Sequence, residues 1–154
     1  QACFVGTIWN NNINEITEYQ KLCDSYDINF IIKRGLSMED NIRIVQESLL
    51  SPTIVGKWQV DNGYIPCRIF KNISYSGCAI TNSETVYKLF NKKIIYGETI
   101  NDMFHKGLKY YEKYNLQDIY ATMDVVKNKH TYIQRSQLLL TIISKICTEY
   151  SPND

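Results

Sequence analysis

Residues 56–72 contain the side chains whose types and spacing are best suited to chemistry. A glycine-containing loop leads to Pro66, a residue type that is common in the first turn of a helix. Arg68 and Lys71 follow three positions apart, which places them on one face near that helix start. The unpaired N–H groups and the positive end of the helix dipole suit a phosphate there, and a bound anion would explain two cations in an unfavourable place. Spacing alone, however, favours two solvated basic residues on a surface helix.

Trp58, Gly6 and Thr7 are further candidates because each lies just after a predicted strand. Trp58 could stack on a nucleobase or cover the core, and considered alone the second role is favoured. Gly6-Thr7 lacks the G-x-G-x-x-G pattern of dinucleotide-binding proteins, and the chain contains no G-x-x-x-x-G-K-[ST] P-loop. Neither of these two phosphate-binding motifs is therefore predicted.

Metal-ligand and acid–base patterns are weak. The five cysteines are scattered without a C-x-x-C pair, and neither histidine has a Cys or His at ligand spacing. We therefore expect no metal site and no disulfide framework, but thiols that lie mostly in a core. Glu84 and Asp124 have no partner carboxylate at a diagnostic spacing, so the catalytic residues stay unknown.

Composition excludes several classes of protein. The chain has 154 residues, 44% of them hydrophobic, and a formal net charge of +1. Such a chain can bury its own core, and its balanced charge gives no indication of nucleic-acid binding. No apolar run approaches the ~20 residues of a membrane span, and residues 1–9 lack the features of a signal peptide. We expect a cytoplasmic protein with no membrane span.

Strands and helices alternate along the chain. Apolar, β-branched runs predict strands at 28–33, 53–56, 78–81 and 93–96, and the run 2–8 predicts a strand that passes into a loop at Gly6-Thr7. Helical periodicity predicts helices between them, with caps at Ser37, Ser83 and Thr99. The sequence therefore predicts one α/β domain over 1–154: a Rossmann-like parallel sheet flanked by helices over about 1–115, and a helical tail over about 116–150 that breaks near 128–130. Ligands of such sheets bind beyond the carboxyl ends of the strands, here the loops 6–12, 33–37 and 56–65.

Three segments resemble GT-B glycosyltransferases, in particular CgeB-like and other bacterial and large-virus members. The segment Cys67-Arg-Ile-Phe-Lys-Asn-Ile-Ser-Tyr-Ser-Gly-Cys-Ala-Ile-Thr-Asn-Ser83 resembles their nucleotide-sugar-binding R-x-F-E-A helix, glycine turn and strand ending in Thr-Asn or Thr-Asp. His130-Thr-Tyr-Ile-Gln-Arg135 resembles the H-T-Y-x-x-R motif near the end of CgeB-like enzymes, and Phe4-Val-Gly-Thr-Ile-Trp9 the first strand and loop of a GT-B C-terminal half.

The resemblance implies a donor-binding domain of a metal-independent glycosyltransferase, with a nucleotide-diphosphate sugar as substrate and no cofactor. The acceptor, a glycan or another molecule, would be held by an N-terminal domain or a partner chain. The implied donor site consists of Arg68 and Lys71 on phosphate, the backbone of Tyr64, Ile65 and Pro66 at the helix start, Gly6 and Thr7 in the first loop, and Gly35 and Trp58 bordering the base.

One departure from the family pattern keeps an alternative open. Lys71 and Gly63 stand where many retaining members carry two glutamates. A lysine cannot accept a hydrogen bond from ribose, although it can neutralise phosphate. The alternative is a non-catalytic nucleotide-binding, sugar-binding or interaction module with a degenerate GT-B site. For His130 and Arg135 a purely structural role is favoured over a functional one.

Overall fold

The computed structural model describes residues 1–113 and 115–149. In chain order its elements are β1 (Ala2–Val5), α1 (Ile13–Ser25), β2 (Phe30–Lys33), α2 (Met38–Gln46), α3 (Lys57–Asp61), α4 (Cys67–Ser74), β3 (Ile80–Thr81), α5 (Glu84–Leu89), β4 (Ile95–Tyr96), α6 (Ile100–Glu112), α7 (Leu116–Lys129) and α8 (Tyr132–Glu149).

The predicted Rossmann-like sheet flanked by helices is wrong. The chain is 58% helical, and its strands form two separate parallel sheets of two strands each, β1–β2 and β3–β4. In the first sheet Cys3 lies opposite Ile31, and in the second Ile80 lies opposite Ile95. The protein is mostly helical and carries a C-terminal helix.

The physical reason lies in residues 50–56, which include the strand predicted at 53–56. This segment touches the two sheets only through the isolated bridges Ala2–Leu50 and Thr53–Thr81. Beyond Thr53 the backbone bonds to a side chain instead of to a neighbouring strand. The Asn82 side chain accepts from the Val55 N–H at 2.8 Å and donates to the Val55 carbonyl at 2.7 Å. The buried apolar run therefore remains outside any sheet.

Other boundaries agree with the prediction only in part. β1 ends at Val5, where the predicted loop 6–12 begins, and the chain turns where the Trp9 N–H donates to the Asn12 side chain. Residues 57–64, predicted as a loop, contain α3. Pro66 is the N-cap of α4 rather than its first helical residue.

The predicted helix caps are confirmed, since they depend on local contacts alone. The Ser37 hydroxyl accepts from the Asp40 N–H at 3.0 Å, the Ser83 hydroxyl from Val86 at 3.4 Å and the Thr99 hydroxyl from Asp102 at 3.1 Å. The helical tail is likewise present as α7 and α8, with the break at 130–131. Its predicted last residue, Tyr150, lies outside the described residues.

Two clusters of buried side chains form the core. One surrounds Tyr19, whose ring lies 5.1 Å from Phe30 and 5.4 Å from Phe104. The other packs α4 against α5 and α7, with Ile69, Phe70 and Val126 buried among neighbours. Burial of these clusters provides the main favourable term in folding.

The thiols and the C-terminal helix lie partly outside this core. Cys3 and Cys23 are buried and Cys78 is half-buried, but Cys67 and Cys147 are exposed, so the thiols are not mostly in the core. The apolar side chains of α8, such as Leu139 and Ile143, are exposed. Over residues 1–113 and 115–149, no helix combines the length and the apolar character that crossing a bilayer requires.

Candidate functional site

A cavity of about 410 Å³ lies at the carboxyl ends of β1 and β2 and at the N-terminal end of α4. Its walls come from all three loops in which the sequence predicted chemistry. Of the predicted site residues, those that line it are Gly6, Thr7, Gly35, Tyr64, Pro66, Arg68 and Lys71. The structure thus brings together residues that are far apart in the chain, and their role in binding stays a prediction.

Two predicted site residues do not line this cavity. Trp58 is 62% exposed on the short helix α3, so the role that was favoured for it, covering the core, is wrong. Ile65 precedes the α4 N-cap and is also exposed. Trp9, on the loop after β1, is the tryptophan that lines the cavity.

The charge of the cavity has one sign. Arg34, Arg68 and Lys71 line it, and among the described residues no aspartate, glutamate or histidine does. The amide side chains of Asn12, Asn41, Gln59 and Asn72 complete much of the polar lining. A concave surface attracts anions when cations line it and no carboxylate in the lining neutralises their charge.

Arg68 is held in place by the backbone. Its Nε donates to the carbonyl of Val5 at 2.9 Å and its Nη1 to the carbonyl of Ile54 at 3.3 Å. Its guanidinium carbon lies 3.9 Å from the centroid of the buried Phe4 ring, a cation–π contact. Across the described part of the chain, none of the ion pairs involves Arg68. Burial lowers the pKa of Arg68 to about 10, so the group is still charged at neutral pH.

Gly6 makes this position of Arg68 possible. A Cβ at Gly6 would lie 2.1 Å from Nη2 of Arg68, closer than any real contact. The first loop therefore needs glycine for the approach of a cation.

The loop after β1 is fixed on its far side. The Asn12 side chain accepts from the Trp9 N–H at 2.8 Å, and the Glu15 carboxylate accepts from the Lys57 N–H at 2.9 Å. A Cβ at Gly56 would lie 1.5 Å from the carbonyl oxygen of Asn11, so the two loops touch backbone to backbone. These contacts hold the two loops against each other at this wall of the cavity.

The start of α4 is open to the cavity. Its N-cap, Pro66, makes no side-chain capping hydrogen bond, and both Pro66 and Cys67 line the cavity. The N–H groups in the first turn of a helix lack partners within the helix. Together with Arg68 and Lys71 they form a set of donors that matches the oxygens of a phosphate group.

The tail motif lies beside this helix. A small pocket of about 60 Å³ is lined by Cys67, Phe70, Lys71, His130, Tyr132 and Arg135. The His130 ring lies 5.2 Å from Phe70 and 5.4 Å from Phe90, and the Arg135 guanidinium 4.6 Å from the Phe70 centroid. Burial, followed by the charges of Arg135 and Lys129, lowers the pKa of His130. This packing supports the structural role that was favoured for His130.

Sequence reasoning missed Arg34 and Trp9. Arg34 directly precedes Gly35 in the predicted loop 33–37, and the adjacent cations Lys33 and Arg34 at the end of a predicted strand were the available signal. Trp9 ends the segment that resembles a first GT-B strand and loop, and nothing in its spacing separates it from Trp58. The choice between the two tryptophans depends on α3, a helix that was not predicted.

No protein-family model matches the chain, and no curated protein or solved structure is similar to it. Within the described part of the chain, no group of three or more His, Cys, Asp or Glu side chains could hold a metal ion. Interpretation of the site therefore depends on its own geometry and charge.

Proposed function

We propose that this chain binds a nucleotide-diphosphate sugar in the basic cavity, as the donor-binding part of a glycosyltransferase. The observation that carries the proposal is Arg68, a cation held by two backbone carbonyls and an aromatic ring, with no carboxylate of the described residues paired to it. A cation held without a counterion is best compensated by an anionic ligand. The diphosphate would lie at the start of α4, between Arg68 and Lys71.

The rest of the cavity suits the remainder of such a ligand. Trp9 and Tyr64, 65% and 47% exposed, offer aromatic faces on which a nucleobase can stack. The cavity volume of about 410 Å³ is within the range of small-molecule and cofactor sites. Amide side chains in the lining can both donate to and accept from ribose and base.

The chemistry proposed for this chain is stabilisation of a leaving group. When the sugar departs, negative charge increases on the nucleoside diphosphate. The N–H groups of Arg68 that do not bond Val5 or Ile54, together with the Lys71 ammonium, would receive that charge. Because its carbonyl contacts already orient the guanidinium, little reorganisation is required during the reaction.

The transfer step depends on weaker support than the binding step. It comes from the resemblance of the 68–71 and 130–135 segments to glycosyltransferase motifs, since the observed sheets do not form the GT-B architecture. A second function, binding without catalysis, is favoured by a specific observation. Among the described residues, no aspartate, glutamate or histidine lines the cavity, so the side chains most often used to deprotonate an acceptor hydroxyl do not contribute there.

A thermal-shift screen tests the binding step. The full chain is screened against UDP, GDP, ADP, dTDP and CMP and their common sugar conjugates. A ligand at one hundred times its dissociation constant adds ~2.7 kcal/mol to the free energy of unfolding, which raises the midpoint by several degrees. We expect a shift with one diphosphate, a smaller shift in Lys71→Gln, and an unchanged shift in Lys145→Gln, which removes an exposed charge elsewhere.

The outcomes separate the two functions. If no nucleotide shifts the midpoint, the binding proposal is wrong. If a sugar nucleotide binds, release of free nucleoside diphosphate from it distinguishes a transferase or hydrolase from a binding module. Binding without any release, with or without added acceptors, would favour the non-catalytic function.

A further inference from the structure

The small pocket between α4 and the start of α8 lies next to the basic cavity. Cys67 and Lys71 line both. A ligand whose diphosphate lies at the start of α4 can therefore extend past these two side chains into the small pocket. Phe70, His130, Tyr132 and Arg135 form its remaining walls.

We propose that this pocket holds an acidic substituent of the donor sugar, so that the ligand is a nucleotide-diphosphate sugar of the uronic-acid class. This inference rests on the proposed function and names the class of sugar that it concerns. The carboxylate would be bound by the Arg135 guanidinium and the Lys71 ammonium. Nothing in the sequence resemblance assigned these two residues to the sugar.

Charge is the first argument. Lys71 and Arg135 both line the pocket, and no aspartate or glutamate does among the described residues. The ion pairs of the structure join other side chains, each to a neighbour on its own helix. A neutral sugar would leave Arg135 without an anionic partner in the pocket, whereas a carboxylate there would pair with Arg135 and lie beside Lys71.

Orientation is the second argument. The Arg135 guanidinium carbon lies 4.6 Å from the Phe70 centroid and 5.9 Å from the Tyr132 centroid. A guanidinium stacked on a ring keeps its N–H edge for other partners, and that edge matches the two oxygens of a carboxylate. His130 contributes an aromatic wall, since its ring packs on Phe70 and Phe90.

Size is the third argument. The pocket has a volume of about 60 Å³. This is roughly the volume that two water molecules occupy in liquid water. It is enough for a carboxylate group but not for a sugar ring. The ring would remain in the larger cavity with only its acidic substituent in the pocket.

Titration calorimetry on the full chain with matched pairs of ligands tests the inference. The pairs are UDP-glucose and UDP-glucuronic acid, GDP-mannose and GDP-mannuronic acid, and, without a base, glucose 1-phosphate and glucuronic acid 1-phosphate. UDP and GDP alone measure the diphosphate contribution. We expect the acidic member of at least one pair to bind roughly tenfold or more tightly, as a charge-assisted bidentate contact provides.

Two variants connect the preference to Arg135. In Arg135→Gln the preference should fall to within about twofold, while the affinity for the nucleoside diphosphate alone is unchanged. Arg135→Lys keeps the charge without the planar fork and should retain part of the preference. Lys145→Gln removes a charge from the same helix away from the pocket and should keep the full preference.

Each outcome has a distinct meaning. A nucleoside diphosphate that binds with equal affinity for acidic and neutral sugars overturns this inference and leaves the proposed function intact. A preference that survives in Arg135→Gln overturns the assignment of Arg135, whose role would then be to hold α8 against Phe70. Absence of binding by every ligand overturns the proposed function and this inference together.

Discussion

The guanidinium of Arg68 occupies the space that a side chain at Gly6 would need. A Cβ at Gly6 would lie 2.1 Å from Nη2 and 3.0 Å from the guanidinium carbon of Arg68. This contact joins the loop after β1 to the first turn of α4. It fixes the cation at the point where the cavity meets the end of the strand.

Gly6→Ala should therefore lower both ligand affinity and stability while the fold is retained. The guanidinium is the far end of a flexible side chain, so it can move aside, and the fold should be retained. Its bonds to Val5 and Ile54 would be lost, and nucleotide affinity should fall roughly tenfold or more. Thermal unfolding and nucleotide titration of the same sample measure both effects.

Gly63→Ala is the matched control for that substitution. Gly63 has a φ of +66° and does not line the cavity, so alanine there should cost about 1 kcal/mol of stability through backbone strain. Nucleotide affinity should be retained. If Gly6→Ala binds as well as the parent chain, the position of Arg68 is not required for binding.

Arg68→Met should destabilise the protein even without a ligand. The variant keeps an apolar stem against Phe4 but leaves the carbonyls of Val5 and Ile54 without their donors, a loss of about 1–3 kcal/mol. Lys71→Met changes an exposed side chain, and its effect should stay within about 0.5 kcal/mol. Urea unfolding compares the two. Equal free energies of unfolding would mean that the carbonyl contacts of Arg68 contribute nothing.

Asn82→Asp should be destabilising although it is nearly isosteric. Asn82 both donates to and accepts from the backbone of Val55, at 2.7 and 2.8 Å. An ionised aspartate keeps the acceptor but places a second oxygen against the Val55 carbonyl, a loss of about 1–3 kcal/mol. Because a protonated carboxyl can donate and the ionised form is disfavoured in the folded chain, the difference in stability between variant and parent chain should narrow as the pH falls from neutral toward about 4. A difference that does not depend on pH would contradict this account.

His130 should make stability depend on pH. Its pKa in the folded chain is lowered from the ordinary 6.5 by burial and by the neighbouring Arg135 and Lys129. The unfolded chain therefore binds more protons in the window below pH 6.5, and folding stability is lost as the pH falls through that value. The free energy of unfolding, measured with denaturant between pH 5 and 7, should depend less steeply on pH in His130→Gln than in the parent chain. Identical slopes would show that the surroundings of His130 do not disfavour its charge.

Features that depend on nearby residues could be predicted from the sequence. The caps at Ser37, Ser83 and Thr99 and the break between α7 and α8 are local, and all were predicted. The three loops around the cavity could be located because each follows an apolar run in the sequence. The general rule that ligands of parallel sheets bind beyond the carboxyl ends of the strands directed attention to them.

Features that depend on distant contacts could not be predicted. Residues 53–56 have the composition of a strand, but the Asn82 side chain takes the hydrogen bonds of Val55 that a neighbouring strand would need. The Asn82 side chain therefore interrupts the strand pairing that would have joined the two small sheets into the single predicted sheet. The exposure of Trp58 depends on α3, whose five residues are too few to give a periodic pattern.

Three cations line the cavity and, within residues 1–113 and 115–149, no acid does, in a chain whose net charge is only +1, so the positive field is local rather than spread over the molecule. At 0.1 M salt that field extends about 10 Å, so it accelerates the last steps of an anion's approach more than its long-range encounter. Association of a phosphorylated ligand should therefore depend only modestly on ionic strength. Small oxyanions such as sulfate or inorganic phosphate would compete for the same cations. Their concentration in the buffer would therefore lower the apparent affinity for any larger ligand.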